Sequence, residues 1–154
     1  MNASPLSEGL QIPKFETKDE SGAIFSSQAI LGHLTLLYFY PRDNTPGCTS
    51  EGEDFRDNYN LFQKKKIEIF GVSKDTLKSH EGFKDKFNFP FELISDPDEK
   101  VCKIFDVIKE KSMYGKKYMG IERSTFLIGT DGKLINEWRK VKVKGHVEEI
   151  LKNI

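Results

Sequence analysis

A short apolar run, Leu34–Tyr40, is the feature that most constrains the fold of this chain. It is rich in aromatic side chains and bounded by His33 and Pro41, and its length and flanks favour a buried strand over a helix. Strands that are buried on both faces read as continuous apolar runs in this way. The sequence therefore predicts a central strand of a largely parallel sheet here.

The segment after this strand predicts a helix with a cysteine in its first turn. Thr45 belongs to the residue types that cap helix starts, and Pro46 suits the first helical position, which places Cys48 one turn in. Apolar and small residues then recur at steps of four and three, which predicts one inward face. That face comprises Cys48, Gly52, Phe55, Tyr59 and Phe62.

The position of Cys48 indicates a thiol that can be activated. Free amides and the dipole at a helix start favour an anion, and the thiolate is the reactive form of cysteine. The dipole contributes only about 0.3–1 kcal/mol, whereas a tenfold change in ionisation takes about 1.4 kcal/mol. Negative charges oppose ionisation of the thiol if they lie close, and the nearby acids are Glu51, Glu53 and Asp54. A reactive Cys48 therefore requires a nearby cation such as arginine; the alternative is an inert cysteine that packs as a small hydrophobe.

Composition narrows the class of protein. With 154 residues the chain is predicted to form a single domain, 1–154, whose polar segment 1–13 is loosely ordered. Its 24 basic and 24 acidic residues are interspersed, which argues against a nucleic acid or membrane partner. The start of the chain lacks the pattern of a signal peptide. The two cysteines, Cys48 and Cys102, form no CxxC motif, so we expect a reducing, cytoplasmic setting.

The rest of the chain alternates strand and helix patterns. The predicted strands are 14–17 and 23–25 as an N-terminal hairpin, 67–72, 91–94, and 124–128 and 133–138 as a second hairpin. Four helices are predicted: from Pro46 to near Lys65, over 76–87, from a cap at Asp96 and Pro97, and over 147–154. The third of these has an inner stripe of Val101, Ile104, Phe105 and Ile108. Residues 109–120 show no clear period and are predicted as a long loop or irregular strand.

This order predicts an α/β, thioredoxin-like fold. A βαβ half followed by a ββα half is the plan of that fold, in which helices flank a central mixed sheet, and an N-terminal β-hairpin is added here. Ligands of open α/β sheets gather beyond the carboxyl ends of the strands. Cys48 lies there, directly after the first central strand.

The segment YFYPRDNTPGCT resembles the active-site segment of peroxiredoxins, thiol peroxidases with the pattern Pro-x-x-x-Thr-x-x-Cys. Pro41, Thr45 and Cys48 fill that pattern. The segments FPFELISDPDEKVCKIF and GIERSTFLIGTDGKL are similar to the peroxiredoxin Q, or bacterioferritin comigratory protein, branch. The resemblance extends from about Lys14 to the C-terminus.

The resemblance implies a role for each motif residue. Cys48 would be the peroxidatic cysteine that attacks a hydroperoxide and becomes a sulfenic acid; Pro41 would shield that product, and Thr45 would hydrogen-bond thiolate and peroxide. The family's further arginine corresponds to Arg123, whose fork of donors suits thiolate and peroxide oxygen together. Arg42 and Arg56 are less favoured for that role, and a surface ion pair is the alternative for Arg123.

The chain departs from this branch in one respect. Many members carry a resolving cysteine five residues after the peroxidatic one, and that position is Glu53 here. Cys102 is interpreted as a semi-buried packing residue. We therefore expect a one-cysteine mechanism, in which an external thiol of the thioredoxin, glutaredoxin or glutathione type reduces Cys48. Without a rapid resolving partner, the sulfenic acid is also open to further oxidation.

Other functions remain open at this stage. A thiol-disulfide oxidoreductase would suit the fold, but thioredoxins carry a second cysteine where this chain has Thr45. A redox sensor or holdase that uses the same thiol is a further alternative. His33, His80 and His146 show no ligand spacing, so we expect no metal and no cofactor. The sequence allows a monomer or a weak homodimer.

Overall fold

The computed structural model describes residues 6–154, which form fourteen helices and strands. The strands are β1 Glu16–Asp19, β2 Ile24–Ser26, β3 Leu34–Phe39, β4 Ile67–Ser73, β5 Glu92–Ser95, β6 Ile108–Met113, β7 Lys116–Ile121, β8 Ser124–Ile128 and β9 Leu134–Trp138. The helices are α1 Pro46–Asp57, α2 Tyr59–Lys64, α3 Leu77–Phe87, α4 Lys100–Ile104 and α5 His146–Lys152. In this part of the chain no helix combines the length and the apolar character needed to cross a membrane.

A seven-stranded mixed sheet organises the molecule, in the order β2-β1-β5-β4-β3-β8-β9. Strands β3, β4 and β5 run parallel, whereas β8 and β9 are antiparallel neighbours on one side and the β1–β2 hairpin pairs antiparallel with β5 on the other. The predicted thioredoxin-like plan, with its mixed sheet and N-terminal hairpin, is confirmed. Leu34–Phe39 lies at the centre, as the apolar run predicts.

Side chains of β3 alternate between two cores, because successive residues of a strand point to opposite faces of the sheet. Leu36 and Tyr38 join a core that also contains Cys48. Leu37 and Phe39 join the other core, which contains Cys102. The two cysteines therefore lie on opposite faces of the central sheet.

The N-terminal segment packs more closely than its polar composition predicts. Leu6 and Ile12 are buried in a core, and Gln11 forms a bridge with Lys133 beside β9. The rest of the segment predicted to be loosely ordered, residues 1–5, lies outside the described residues.

Two predicted helices have different bounds. The helix that begins at Pro46 is interrupted at Asn58 and continues as α2. The helix predicted from Pro97 begins at Lys100, because Glu99 adopts a positive φ of 61°. The φ of 54° at Asp106 then separates α4 from Ile108, which belongs to β6 rather than to the helical stripe.

Residues 108–121 form a β-hairpin, not a long loop. β6 and β7 pair antiparallel as a separate two-stranded sheet, and Tyr114 and Gly115 turn between them with φ of 51° and 79°. Two successive positive φ values are typical of the tight turns that match the twist of hairpin strands. Most of these side chains are at least partly exposed, so the segment lacks the apolar alternation by which strands are recognised.

Candidate active site

Cys48 lies at the start of α1, where the chain returns from the end of β3. Its side chain is buried, with 2% of its surface exposed, among aromatic residues that include Tyr38 and Phe55. The predicted inward face of the helix is present. The Phe89 ring packs directly against Gly52, where a Cβ would lie 2.4 Å from it.

Arg123 reaches Cys48 from the connection between β7 and β8. Its Nη2 donates to Sγ at 3.4 Å, and its Nη1 donates to Oε1 of Glu51 at 2.5 Å. Gly47 gives room for this approach, since a Cβ at that position would lie 3.2 Å from Nη2 and the guanidinium would have to shift by a few tenths of an ångström. The other candidate arginines lie elsewhere: Arg42 is exposed, and Arg56 donates to the carbonyl of Phe87. A cation thus sits against the thiol, and it is Arg123.

Glu51 belongs to this site, although the sequence indicated it only as one of three nearby acids that would oppose the thiolate. It is fully buried and bound to Arg123, and its Oε2 has no hydrogen-bond partner among the residues described. Burial raises its pKa to about 7, and the attraction of Arg123 only partly offsets that rise. Near neutral pH Glu51 is therefore partly protonated, and the charge of Arg123 is not fully neutralised by it. Its position three residues after Cys48, on the same helix face, was the available signal.

Thr45 caps α1 by position but not through its side chain. Its backbone is extended, with φ −87° and ψ 153°, yet its hydroxyl donates to the carbonyl of Arg42 at 2.8 Å instead of accepting from a helix amide. Thr45 and Pro41 line a cavity of about 900 Å³, whose other wall is the β6–β7 hairpin. The two predicted motif residues therefore meet at a cavity beside the helix that carries Cys48.

A model of the AhpC/TSA family matches residues 9–136 of this chain. Peroxiredoxin Bcp of Bacillus subtilis is 49% identical over 146 residues, which span 95% of this chain and 93% of that protein. Peroxiredoxin Bcp of Xanthomonas campestris is 53% identical over 124 residues, 80% of this chain and 78% of that one. The chain belongs to the peroxiredoxin family.

Solved structures agree with this. The bacterioferritin comigratory protein of Xanthomonas campestris, whose structures address its alkyl peroxide reduction activity, superposes with a TM-score of 0.89 at 45% identity, covering 96% of each chain. Peroxidoxin BcpB of Mycobacterium tuberculosis superposes with a TM-score of 0.83 at 29% identity, over 96% of this chain and 95% of that one. This peroxiredoxin thus falls in the Q, or bacterioferritin comigratory protein, branch, and it is a thiol peroxidase.

The second cysteine of this peroxiredoxin occupies a different environment. Cys102 is fully buried on α4, and its backbone amide donates to Oδ2 of Asp96 at 2.8 Å. Burial raises the pKa of the Cys102 thiol well above its usual range, and the neighbouring Asp96 carboxylate adds to the rise. Glu53, at the position of the branch's usual resolving cysteine, is near Arg56, 3.7 Å from its Nη2.

A buried polar network holds the loop of the peroxiredoxin motif. Asp43 accepts from the hydroxyls of Tyr40 and Ser79 at 2.7 and 2.8 Å, and its Oδ2 lies 2.7 Å from Nδ1 of His80. Nε2 of His80 lies 2.9 Å from the carbonyl oxygen of Ile94 and donates to it, because a carbonyl oxygen can only accept. This network ties the loop before α1 to α3. Asp43 and His80 are 37 positions apart, so no local pattern in the sequence reveals it.

Three polar groups of this network lie close enough to suggest a metal site. Ligand atoms of Asp43, Asp75 and His80 fall within 4.8 Å of one another. Hydrogen bonds already account for them, since Asp75 accepts from the Ser73 hydroxyl and from the Asp43 amide. Buried polar groups that satisfy one another in this way form a structural network.

The other two histidines lie apart from this network. His33 is exposed, 3.8 Å from Glu68. His146 is buried beside Thr125, and burial together with the charge of Arg123 lowers its pKa to about 4. His146 is therefore neutral across the physiological range.

Proposed function

We propose that this peroxiredoxin reduces hydrogen peroxide and organic hydroperoxides through Cys48, as a monomer or weak homodimer in the reducing cytoplasm. The observation that carries the proposal is the 3.4 Å contact between Nη2 of Arg123 and Sγ of Cys48 at the start of α1. A permanently charged donor beside a thiol at a helix start favours the thiolate, which is the nucleophile.

The first half-reaction is thiolate attack on one oxygen of the hydroperoxide. A sulfur–oxygen bond forms as the O–O bond breaks, so Cys48 becomes a sulfenic acid, and the departing oxygen takes a proton to leave as water or an alcohol. Arg123 can donate to the reacting oxygens while it holds the sulfur. The Thr45 hydroxyl donates to the backbone carbonyl of Arg42, so its lone pairs are free to accept from the hydroperoxide O–H. Pro41 covers the same cavity.

The second half-reaction uses an external thiol. A disulfide requires α-carbons within about 7 Å, and Cys102 packs in the core on the other face of the sheet from Cys48. Glu53 cannot form a disulfide. A thiol from solvent, of the thioredoxin, glutaredoxin or glutathione type, therefore attacks the sulfenic acid, and a second thiol releases Cys48.

Rapid mixing with one equivalent of hydrogen peroxide tests the proposal. We expect Cys48 to be oxidised orders of magnitude faster than an ordinary thiol, and a sulfenic acid trap followed by mass spectrometry to label Cys48 alone. Cys102 is the internal control in the same sample. Oxidation of Cys48 at the rate of a free thiol would refute the peroxidase role, and a Cys48–Cys102 disulfide would refute the one-cysteine mechanism.

A further inference from the structure

The β6–β7 hairpin presents one face to the cavity beside the active site. Lys111 pairs with Tyr118, and Met113 pairs with Lys116, so these four side chains share a face of the hairpin. Two of them, Tyr118 and Lys111, meet over Gly120, where a Cβ would lie 3.2 Å from the Tyr118 ring and 3.4 Å from Cδ of Lys111. The same face lines the cavity together with Pro41 and Thr45.

The cavity is strongly basic. Its lining includes Arg42, Lys74, Lys111, Lys116 and Lys117. Among the described residues that line it, the one carboxylate belongs to Asp75, which already accepts hydrogen bonds from the Ser73 hydroxyl and from the Asp43 amide. A cleft lined by one sign of charge concentrates ligands of the opposite sign.

Three of these cations form no ion pair with any residue of the described range, 6–154. Lys74 and Lys117 lie 2.6 and 3.5 Å from carboxylates of Glu99 and Glu110. Within residues 6–154, Arg42, Lys111 and Lys116 form neither an ion pair nor a side-chain hydrogen bond. Their charge is therefore available to a ligand in the cavity.

Lys111 is the half-buried cation among those that line the cavity. Burial and the charge of Arg123 lower its pKa, whereas Cys48 and Glu122 act in the opposite direction. Lys111 therefore lines the cavity within range of the charges of Arg123 and Cys48.

The proposed cycle requires an external thiol to reach Cys48. Only 2% of Cys48 is exposed, and Cys102 lies on the other face of the sheet. The cavity borders the loop that leads into the Cys48 helix, through Pro41, Arg42 and Thr45. The cavity, about 900 Å³, has room for a small thiol. Pockets of roughly 300–1,000 Å³ are those that hold small molecules.

We propose that the β6–β7 cavity binds the reducing thiol, and that this reductant is a small thiol that carries carboxylate groups. The carboxylates contact Lys111, Lys116 and Arg42, while the carbon skeleton packs on Met113 and Tyr118. The bound thiol attacks the Cys48 sulfenic acid, forming a mixed disulfide and releasing water. A second thiolate then attacks the outer sulfur, which frees the Cys48 thiolate and leaves the thiol oxidised as its disulfide. The inference rests on the peroxidase function proposed above.

The test measures reduction of the preformed sulfenic acid by three probes. Glutathione and 3-mercaptopropionate carry carboxylates, and 2-mercaptoethanol is neutral. In the double variant Lys111→Gln/Lys116→Gln, we expect the rate with the two anionic thiols to fall about tenfold, in line with the gain from a charged cleft. The rate with 2-mercaptoethanol stays unchanged, and salt weakens the difference. Lys133→Gln is the matched control, because its exposed side chain lies at the opposite end of the sheet.

Contrary outcomes are separable. An equal loss of rate with neutral and anionic thiols would overturn the proposal. It would also be overturned if a thioredoxin-type dithiol reduced the sulfenic acid faster than the small thiols and did so at the same rate in the double variant. A hydroperoxide that carries a carboxylate could bind the same cations as the proposed thiol. The rate of Cys48 oxidation is therefore measured with such a hydroperoxide and with neutral tert-butyl hydroperoxide. A charge effect confined to oxidation would assign the cavity to the peroxide instead. Failure of Cys48 to form a sulfenic acid, which is measured before any thiol is added, would refute the peroxidase function itself.

Discussion

The two cysteines of this peroxiredoxin occupy the same place in their helices and have opposite surroundings. Cys48 is the third residue of α1 and Cys102 is the third residue of α4, and both are buried. Arg123 donates to the sulfur of Cys48, whereas the carboxylate of Asp96 lies beside Cys102. The two thiols thus share a helix position and face opposite charges.

The difference shows how little a helix start decides by itself. At α4 the Asp96 carboxylate accepts from the amides of Val101 and Cys102, so an anion already occupies the helix start. At α1, within the described residues, no side chain caps the first turn. The dipole contributes about 0.3–1 kcal/mol at either helix, so the neighbouring side-chain charge determines which thiol can ionise.

The largest expected effect is that of Cys48→Ser. We expect peroxide consumption to fall to the level of buffer, because the attacking sulfur is lost. The free energy of unfolding should change by about 1 kcal/mol, because the buried serine hydroxyl can still accept from Arg123. Peroxide turnover and urea denaturation measure the two quantities. If this variant still turned over peroxide, Cys48 would not be the reacting cysteine.

Arg123→Ala should slow sulfenic acid formation by about 10²–10³, the range found when one preorganised donor to a reacting oxygen is removed. Rapid-mixing kinetics with hydrogen peroxide measure the rate. Arg56→Ala is the control and should retain the wild-type rate within twofold. The Arg56 side chain donates to the carbonyl of Phe87 and pairs with Glu53 and Asp57, not with Cys48. An unchanged rate in Arg123→Ala would show that another cation holds the thiolate.

Glu51→Gln should change reactivity in a pH-dependent way. Because the pKa of Glu51 is raised to about 7, its carboxyl is neutral at pH 5.5 and ionised at pH 8, where it opposes the thiolate. The ratio of variant to wild-type alkylation rates at Cys48 should be near one at pH 5.5 and rise to about fivefold at pH 8, equivalent to about 1 kcal/mol of repulsion. A ratio independent of pH would contradict this.

The same substitution should affect stability in a defined direction. A carboxyl whose pKa is raised by folding contributes stability below its unfolded value near 4.5, and that contribution is lost as the pH rises through about 7. Relative to wild type, Glu51→Gln should therefore be more stable at pH 8 than at pH 5. Urea unfolding at the two pH values measures the difference, and the opposite order would show that the Arg123 ion pair outweighs burial.

The smallest expected effect is that of Cys102→Ser. Thiol-dependent turnover should stay within twofold of wild type, because Cys102 packs across the sheet from the reacting sulfur. Native protein should alkylate at Cys48 alone, and Cys102 should react only after denaturation, since burial and Asp96 disfavour its thiolate. A collapse of turnover, with a peroxide-induced crosslink in the wild type, would show that the sheet does not separate the two thiols.

The sequence by itself determined the strand and the helix start that position Cys48. An apolar run predicts β3, and Thr45-Pro46 predicts the start of α1, so the place of Cys48 after a central strand follows from the sequence. These inferences succeed because capping and helical periodicity act over a few residues.

Only the tertiary structure decided which side chains surround each thiol. Glu51 and Arg123 are 72 positions apart, and the β6–β7 hairpin was hidden because most of its side chains are at least partly exposed. The strand order β5-β4-β3-β8 brings Arg123 to Cys48 and places Cys102 on the other face. The physical reason is that the burial and charge pairing of a side chain depend on which strands are neighbours. Which distant segments become neighbours is determined by the packing of the whole sheet.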